Sequence, residues 1–597
     1  MLVLSLAILI IVIGSVLLFS VLEAVLVGAQ RTSTSEAFDV VWGGLLLQGT
    51  LLLGASLIVP VNLWIWLVMM GCVGMVLAFS KRTRFRALES LIQINDKVGW
   101  KGTLLVLLAV GIYGSQAPCN YDTLLYHHQS TQWYAQYGSV QGVALLHYRL
   151  GFISSAFALA APFESLYPHR SATLVNSTAL FLVLLQMIST VRDVASGRTA
   201  RKALFFAFGF LMVLLMHLFF LDPASAAPDF LVNAATVAIA GSIVKRNDER
   251  RGWDFASLVT AILLPLVKLS AAPVALLVCI DAGVRFREER RRVCSVIAVV
   301  GLLAIAALIG TSWRQTGNLV FPIPALQWDV AWGIDPRTTQ DVSHEIRSWA
   351  RWGGPIPEHK TESQWFSAWI GSSKGILFLA ATVGNVVALL LMTLRSKGRL
   401  LSEKDLVIPC IGLLGSLYML YSAPNPRFGF GMLILGWCWI GQWAASCLPN
   451  RFPIGTAIGE RKDGVGSREA AAFLASLVLI GFCVWPIDPW RRALNAFARS
   501  PLFSDTDGRL NWFKPASVPA IGYDRTPTGG IAAAHAIDFR QDQVNDLLYT
   551  YPVNTDISGS HELPCAHQKL TDYIALAAPA RGIAAGFIRK QVPGSEP

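Results

Sequence analysis

The sequence predicts an α-helical integral membrane protein with about 14 transmembrane segments, helices in its external loops and a small α/β domain at its C-terminus. Composition is the first reason. Of 597 residues 54% are hydrophobic and only 15% charged, with a mean hydropathy of +0.50, whereas soluble domains carry roughly 25% charged residues. The second is that apolar runs of about 20 residues, the length that crosses a bilayer as a helix, recur over most of the chain. The third is that Lys and Arg gather in short stretches between those runs, as they do in cytoplasmic loops. Disordered, collagen-like and disulfide-scaffold classes are excluded. The net charge of +11 has the same loop origin and does not point to nucleic acid.

Taken in order, the apolar runs lie at 2–29, 38–60, 62–80, 102–118, 172–190, 203–221, 230–244, 293–312, 373–394, 405–423, 428–447 and 469–486. The first lacks a basic leader and a clean cleavage site, so it reads as a retained helix. Basic clusters at 81–101, 192–202, 245–251, 285–292, 395–404 and 451–468 mark cytoplasmic loops. The stretch 150–166 is apolar, but a crossing there would put 192–202 on the outer side. It is therefore read as helices on the membrane surface inside an external loop. The run 254–283 is broken by Pro265, Lys268, Ser270 and Pro273 and has basic loops at both ends, so it reads as a hairpin whose Lys268 tip reaches outward. With the N-terminus outside, fourteen crossings satisfy every cluster. The division expected is 1–100 accessory helices, 101–486 a transmembrane catalytic unit with external loops 120–170, 222–229 and 313–372, and 487–597 an extracytoplasmic domain.

Polar chemistry concentrates on the external side. Asp122 follows a crossing and precedes Tyr126, His127 and His128, a set able to deprotonate a hydroxyl or hold a metal. The plainer alternative is a solvated helix cap. Arg149 adds a cation to that loop. Asp229 opens the helix after the turn 222–229, where a carboxylate also suits the helix dipole. Lys268, Arg427 and Arg314 lie at membrane depth or at its edge, where cations are costly and an Arg fork suits a phosphate; snorkelling to headgroups is the alternative. Seven of the nineteen tryptophans fall in 313–372, partly as an aromatic belt and partly as a surface suited to sugar rings. No Walker loop, dinucleotide fingerprint or HExxH motif occurs, so a transferred group would come from a membrane-borne donor.

The order Tyr121-Asp122-Thr123-(x2)-Tyr126-His127, His147-(x)-Arg149-Leu150-Gly151-Phe152, Pro228-Asp229, Lys268-Leu269-Ser270, Pro424-(x)-Pro426-Arg427-Phe428 and Leu563-Pro564-Cys565 resembles a little-characterised bacterial branch of the GT-C superfamily of membrane glycosyltransferases. The resemblance covers roughly 100–330 and 405–430 with the tail motif. It implies a polyprenyl-phosphate sugar donor and inverting transfer to a glycan, lipid or protein acceptor at the periplasmic face of the bacterial inner membrane. Asp122 would be the general base, and Asp229, His127, His128 and Tyr126 would orient the acceptor. Lys268, Arg427, Arg149 and Arg314 would hold the donor phosphate. A divalent metal on Asp122 and Asp229 is left open, as GT-C enzymes differ in this. One departure concerns the tail. The resemblance leads us to expect a second cysteine about seven residues before Leu563, and Asp556–Ser560 supplies none, so a Cys119–Cys565 bridge becomes the alternative. Most other cysteines sit inside apolar runs and read as small apolar residues.

Three rivals stay open at this level. An O-antigen polymerase or ligase also has many spans and a large external loop. A polyprenyl-linked sugar transporter or flippase would line its path with Glu23, Asp122 and Lys268. A structural subunit of an envelope complex would need none of these groups.

Overall fold

The computed structural model describes residues 2–28, 35–115, 120–168, 170–195, 200–220, 225–249, 254–286, 289–396, 405–447, 521–525, 531–536, 538–553 and 562–590. The expected crossing 469–486, Asp222 and Cys119 lie outside these residues. The protein is mostly helical. In chain order the helices are α1 (Leu2–Leu26), α2 (Ala37–Ala55), α3 (Leu63–Phe79), α4 (Lys81–Val98), α5 (Trp100–Gly114), α6 (His128–Tyr137) and α7 (Ser155–Ala160). Then come α8 (Leu174–Ala195), α9 (Ala200–Phe220), α10 (Asp229–Glu249), α11 (Phe255–Val267), α12 (Ala272–Arg285) and α13 (Arg290–Thr316). The loop helices α14 (Pro336–Trp352) and α15 (Trp365–Ile370) precede α16 (Ser373–Arg395), α17 (Val407–Ser422), α18 (Phe430–Leu433) and α19 (Leu435–Cys447).

Among the described residues five helices are long and apolar enough to cross a membrane, and a sixth span is possible if α3 and α4, bent by 113°, are taken together. The expected runs that lie among the described residues fall on helices, several of them too short to span by that measure. α13 and α16 carry exposed apolar side chains such as Leu302, Ile305, Ile376 and Leu390, an outward face that suits lipid rather than water. The basic stretch at 81–98 is helical rather than a loop. Thr83, Ala87, Ile94 and Val98 give it one buried stripe.

Small residues and buried amides fit the helices together, as expected where apolar contact alone gives little direction. Gly44 of α2 lies so close to α1 that an added Cβ would stand 2.0 Å from the Ser15 carbonyl oxygen. Gln48 of α2 donates to Ser15 Oγ (2.7 Å) and the Ile11 carbonyl (3.1 Å), and accepts from Trp66 Nε1 (3.0 Å). Trp42 donates to Gln186 at 3.1 Å, and Asn385 bridges the Leu433 carbonyl and the Gly436 amide, each at 2.7 Å.

Charged groups are sorted to the two ends of this bundle. At one end Glu36 takes Lys97 (3.3 Å) and Lys245, Asp281 takes Arg246 (3.1 Å) and Arg285, and Ser35 donates to Asp254 (2.7 Å). The opposite end holds Asp122, Arg149, Asp229, Lys268 and Arg427. α10 runs from Asp229 to Lys245, and α11 from Asp254 to the Lys268 break. From Asp229 to Lys245 the helix rises about 24 Å, a little less than the roughly 30 Å thickness of a hydrocarbon core.

The tail was expected as a mixed α/β unit. Its described residues form three antiparallel strand pairs, β1 (Ile521–Arg525) with β2 (Ile531–Ala536), β3 (Phe539–Val544) with β4 (Leu547–Pro552), and β5 (Ile574–Leu576) with β6 (Phe587–Arg589). Among the described tail residues the helical segment is a 3-10 stretch, Pro579–Ala585. β3 and β4 join through Asn545, whose φ of 51° suits a tight hairpin turn. Val544, Leu547, Tyr549 and Phe587 pack against Trp133, Val143 and Leu146 of the 120–150 segment, and the Phe587 amide donates to the Gln141 carbonyl at 2.9 Å. Cys565 is a buried free thiol.

Replacing Gly44 by Val should drive α1 from α2, at a cost of about 1–3 kcal/mol for overpacking. Thermal unfolding in detergent should fall by several degrees. An unchanged transition would show that this contact does not set the helix spacing.

Candidate active site

The site begins with a turn. Residues Thr123–His127 form one π-helical turn, a feature that often accompanies functional sites, with the Thr123 amide donating to Asn120 Oδ1 at 3.1 Å. Asp122 stands at its head. Its two carboxylate oxygens meet different guanidinium groups: Oδ1 takes Arg149 Nη1 at 3.3 Å and Oδ2 takes Arg427 Nη2 at 3.2 Å.

Each cation is set by its own turn. Arg149 belongs to the 3-10 turn Tyr148–Gly151, and Arg427 to the 3-10 turn Pro426–Phe428. The second turn is held firmly. Asn425 Oδ1 accepts from the Arg427 amide (3.2 Å), Asn233 donates to the Arg427 carbonyl (2.9 Å), Ser270 donates to the Phe428 carbonyl (2.7 Å), and Trp369 donates to the Pro424 carbonyl (2.9 Å). Arg427 Nε has no hydrogen-bond partner among the described residues, so the guanidinium keeps a donor in reserve.

Beside this group lies a second pair. Asp229, the first residue of α10, bonds to Lys268 at the break between α11 and α12. Phe428 joins the two halves, with Lys268 Nζ 3.9 Å and the Arg427 Cζ 4.8 Å from its ring centroid. These are cation–π distances. The expected hairpin tip is thus present, and it carries Lys268 to Asp229 and Arg427.

Burial pushes the Asp122 carboxyl up, but Arg427, His127 and Arg149 outweigh it and hold it below the usual carboxylate range. It stays ionised. Burial, with the Asp122 charge beside it, pushes the Tyr126 phenol well up, so Tyr126 keeps its proton. His127 is pushed down to about 4 by burial, against the pull of Asp122 and Asp229, and is neutral at pH 7. Its ring packs on Tyr126 (4.3 Å) and Phe157 (5.1 Å), and Nδ1 lies 3.4 Å from Thr123 Oγ1. Thr123 Oγ1 also accepts the Ala226 amide at 3.1 Å, which ties this turn to the one before Asp229.

Asp122, Arg149, Arg427, Asp229 and Lys268 therefore come together, with Tyr126 and His127 behind them. His128 is buried at the start of α6. Arg314 does not join them. Its guanidinium donates to the Leu57 carbonyl just beyond α2, and its own carbonyl accepts from the Gly142 amide at 2.9 Å. Its side chain is engaged at the end of α2 and makes no described contact with the Asp122 group. For a metal, no group of three or more His, Cys, Asp or Glu side chains is suitably placed among the described residues. Asp122 and Asp229 are each engaged by cations, so the donor set does not fit a divalent ion.

Glu345 and Tyr148 escape the sequence reading, and Phe428 enters it only as a motif residue with no role. Glu345 of α14 accepts from Arg149 Nη2 at 2.7 Å and from the Tyr148 hydroxyl at 2.8 Å. Tyr148 in turn accepts from Arg149 Nε at 3.3 Å. Phe428 supplies the ring between the cations. Asp335 caps α14 by accepting the Thr338 amide (2.9 Å), but nothing local in the sequence marks Glu345 as the partner of a residue 196 positions away. His147, buried and stacked at 4.4 Å on His567 of the tail, links the tail to the same loop.

The description "Domain of unknown function (DUF8201)" matches residues 1–434, and the chain belongs to this family. The matched stretch holds every charged residue of the site and leaves out the tail. No curated protein and no solved structure matches the chain.

The low His127 value predicts a pH dependence of stability. In the unfolded chain His127 takes a proton near its ordinary 6.5, whereas in the folded protein it does so only near 4. The unfolded state binds more protons between those values, so stability falls as pH drops from about 6.5 toward 4. Thermal scans across that window should show this fall in the wild type and a flatter response in His127→Phe. Equal slopes would contradict the assignment.

Proposed function

We propose that this member of the DUF8201 family is an inverting glycosyltransferase of the GT-C type, moving a sugar from a polyprenyl-phosphate donor to a glycan, lipid or protein acceptor of the cell envelope. The observation that carries this reading is the single carboxylate of Asp122 held between two guanidiniums, next to Lys268, at one end of an apolar helical bundle. A donor with a lipid tail and a phosphate head needs both surroundings at once. The sorting of charges to two ends, about 24 Å apart along α10 from Asp229 to Lys245, supports the fourteen-crossing topology, with the Asp122 end toward the periplasm and the Glu36 end toward the cytoplasm of a bacterial inner membrane.

In the reaction the acceptor hydroxyl attacks the anomeric carbon while Asp122 takes its proton. The bond from that carbon to the phosphate oxygen breaks, and polyprenyl phosphate leaves with the electron pair. One base suffices for this inversion, since no glycosyl-enzyme forms. Arg427, Lys268 and Arg149 bind the phosphate and offset the charge that grows on it. Asp122 alone is a weak base, because the guanidiniums stabilise its ionised form. A phosphate drawn onto Arg427 and Arg149 lessens that stabilisation, so donor binding strengthens the base. Asp229 keeps Lys268 in place, and Tyr126 and His127 shape the wall behind the acceptor. The tail, packed on Leu146 and His147, lies where a bulky acceptor would be recognised.

The test is transfer itself. Wild type and Asp122→Asn, purified in lipid nanodiscs, are incubated with polyprenyl-phosphate sugars and an envelope extract, and donor consumption is followed by mass spectrometry. Loss of a general base should lower turnover by about 10²–10⁴-fold with donor still bound. Equal consumption by both proteins would remove Asp122 from the chemistry.

A further inference from the structure

All three cations that would receive the donor phosphate are already occupied. Arg427 pairs with Asp122, Lys268 with Asp229, and Arg149 with both Asp122 and Glu345. Three positive charges face three negative ones. An incoming phosphate would leave the site with a negative excess unless one carboxylate gave way.

The carboxylates differ in how readily they can do so. The Asp229 side chain is 4% exposed, Asp122 20% and Glu345 32%. Moving an exposed carboxylate back into water costs least, since water replaces its partner. Glu345 also has the longest side chain of the three. It sits on α14, a loop helix with a strongly polar sequence, whereas Asp229 opens the apolar helix α10. Its carboxylate is held at two points on neighbouring residues: Oε1 accepts from Arg149 Nη2 at 2.7 Å, and Oε2 accepts from the Tyr148 hydroxyl at 2.8 Å. Two acceptor oxygens on a guanidinium and a hydroxyl match what two oxygens of a phosphate would offer there.

We propose that Glu345 is a placeholder for the phosphate group of the lipid donor: it occupies Arg149 and Tyr148 in the unliganded site and is displaced by the phosphate. This rests on the glycosyltransferase reading for the identity of the lipid, but the competition for Arg149 does not require transfer to occur. Glu345 thereby sets a threshold. It lowers affinity for anions that bring little binding energy of their own, and a phosphate carrying a long apolar tail overcomes it. The carboxylate stays within reach of Arg149 and returns when polyprenyl phosphate departs.

The experiment measures binding. The full-length protein in neutral-lipid nanodiscs is titrated with a polyprenyl monophosphate, followed by native mass spectrometry, for the wild type, Glu345→Gln, Tyr148→Phe and Glu345→Gln/Arg149→Gln. Glu345→Gln should bind about threefold to tenfold more tightly, as expected for removing a partly exposed competing charge. The double variant should lose that gain. Tyr148→Phe, which takes the same hydroxyl from the carboxylate and from the phosphate without changing charge, should change affinity far less than Glu345→Gln. Glu345→Gln binding as wild type or more weakly, with an unchanged thermal transition, overturns the proposal; so does failure of both to bind. Tighter binding by Glu345→Gln with no sugar transfer by the wild type would uphold the placeholder and count against the glycosyltransferase.

Discussion

One carboxylate between two guanidiniums organises this protein. Asp122, Arg149 and Arg427 come from three turns separated by as many as 305 residues, and the carboxylate can stay ionised in its largely enclosed position only while both cations are close. Burial alone would drive a proton onto it. Every segment bearing one of these groups is in turn fastened elsewhere, the Arg427 turn by Asn233, Ser270 and Trp369 and the Arg149 turn by Glu345. Loss of either cation would leave a poorly solvated charge, a far larger penalty than loss of a surface ion pair.

The helices meet this requirement by keeping charge out of their middles. Between the two polar ends the bundle is joined by glycine contacts and a few amides, of which Gln48 and Asn385 are the clearest. These hold α1, α2 and α3, and α16 with α18 and α19, at fixed spacing without placing an ion at mid-depth. The break at Lys268 lies at the site end of the bundle and serves the site. Between α11 and α12 the chain leaves helical geometry, and its lysine is met by Asp229 and by the face of Phe428.

Much of this was legible in the sequence, for identifiable reasons. Apolar runs are properties of single segments, so most of the described helices could be read directly. The Lys268 break was readable because Pro265, Pro273 and a lysine interrupt one run. Asp122, Arg149, Asp229 and Arg427 could be named as a set, but not paired. Pairing depends on how helices pack, and Arg314 shows the difficulty: an arginine at a helix end looks the same in sequence whether it faces a site or caps a carbonyl. Glu345 was hidden among the polar residues of α14. α4 was hidden by its own basic residues, which obscured the stripe Thr83, Ala87, Ile94 and Val98. The tail gave no period to read, because its strands are only three to six residues long.

The proposed chemistry requires that the cations beside Asp122 receive a lipid phosphate. The most direct measurement is an electron cryo-microscopy map of the protein in nanodiscs containing a polyprenyl monophosphate. Density for the phosphate touching Arg427 and Lys268, with the prenyl chain leaving between apolar helices, is the result the account predicts. A map of equal quality with the phosphate bound elsewhere, and Asp122 still closed between Arg149 and Arg427, would contradict it.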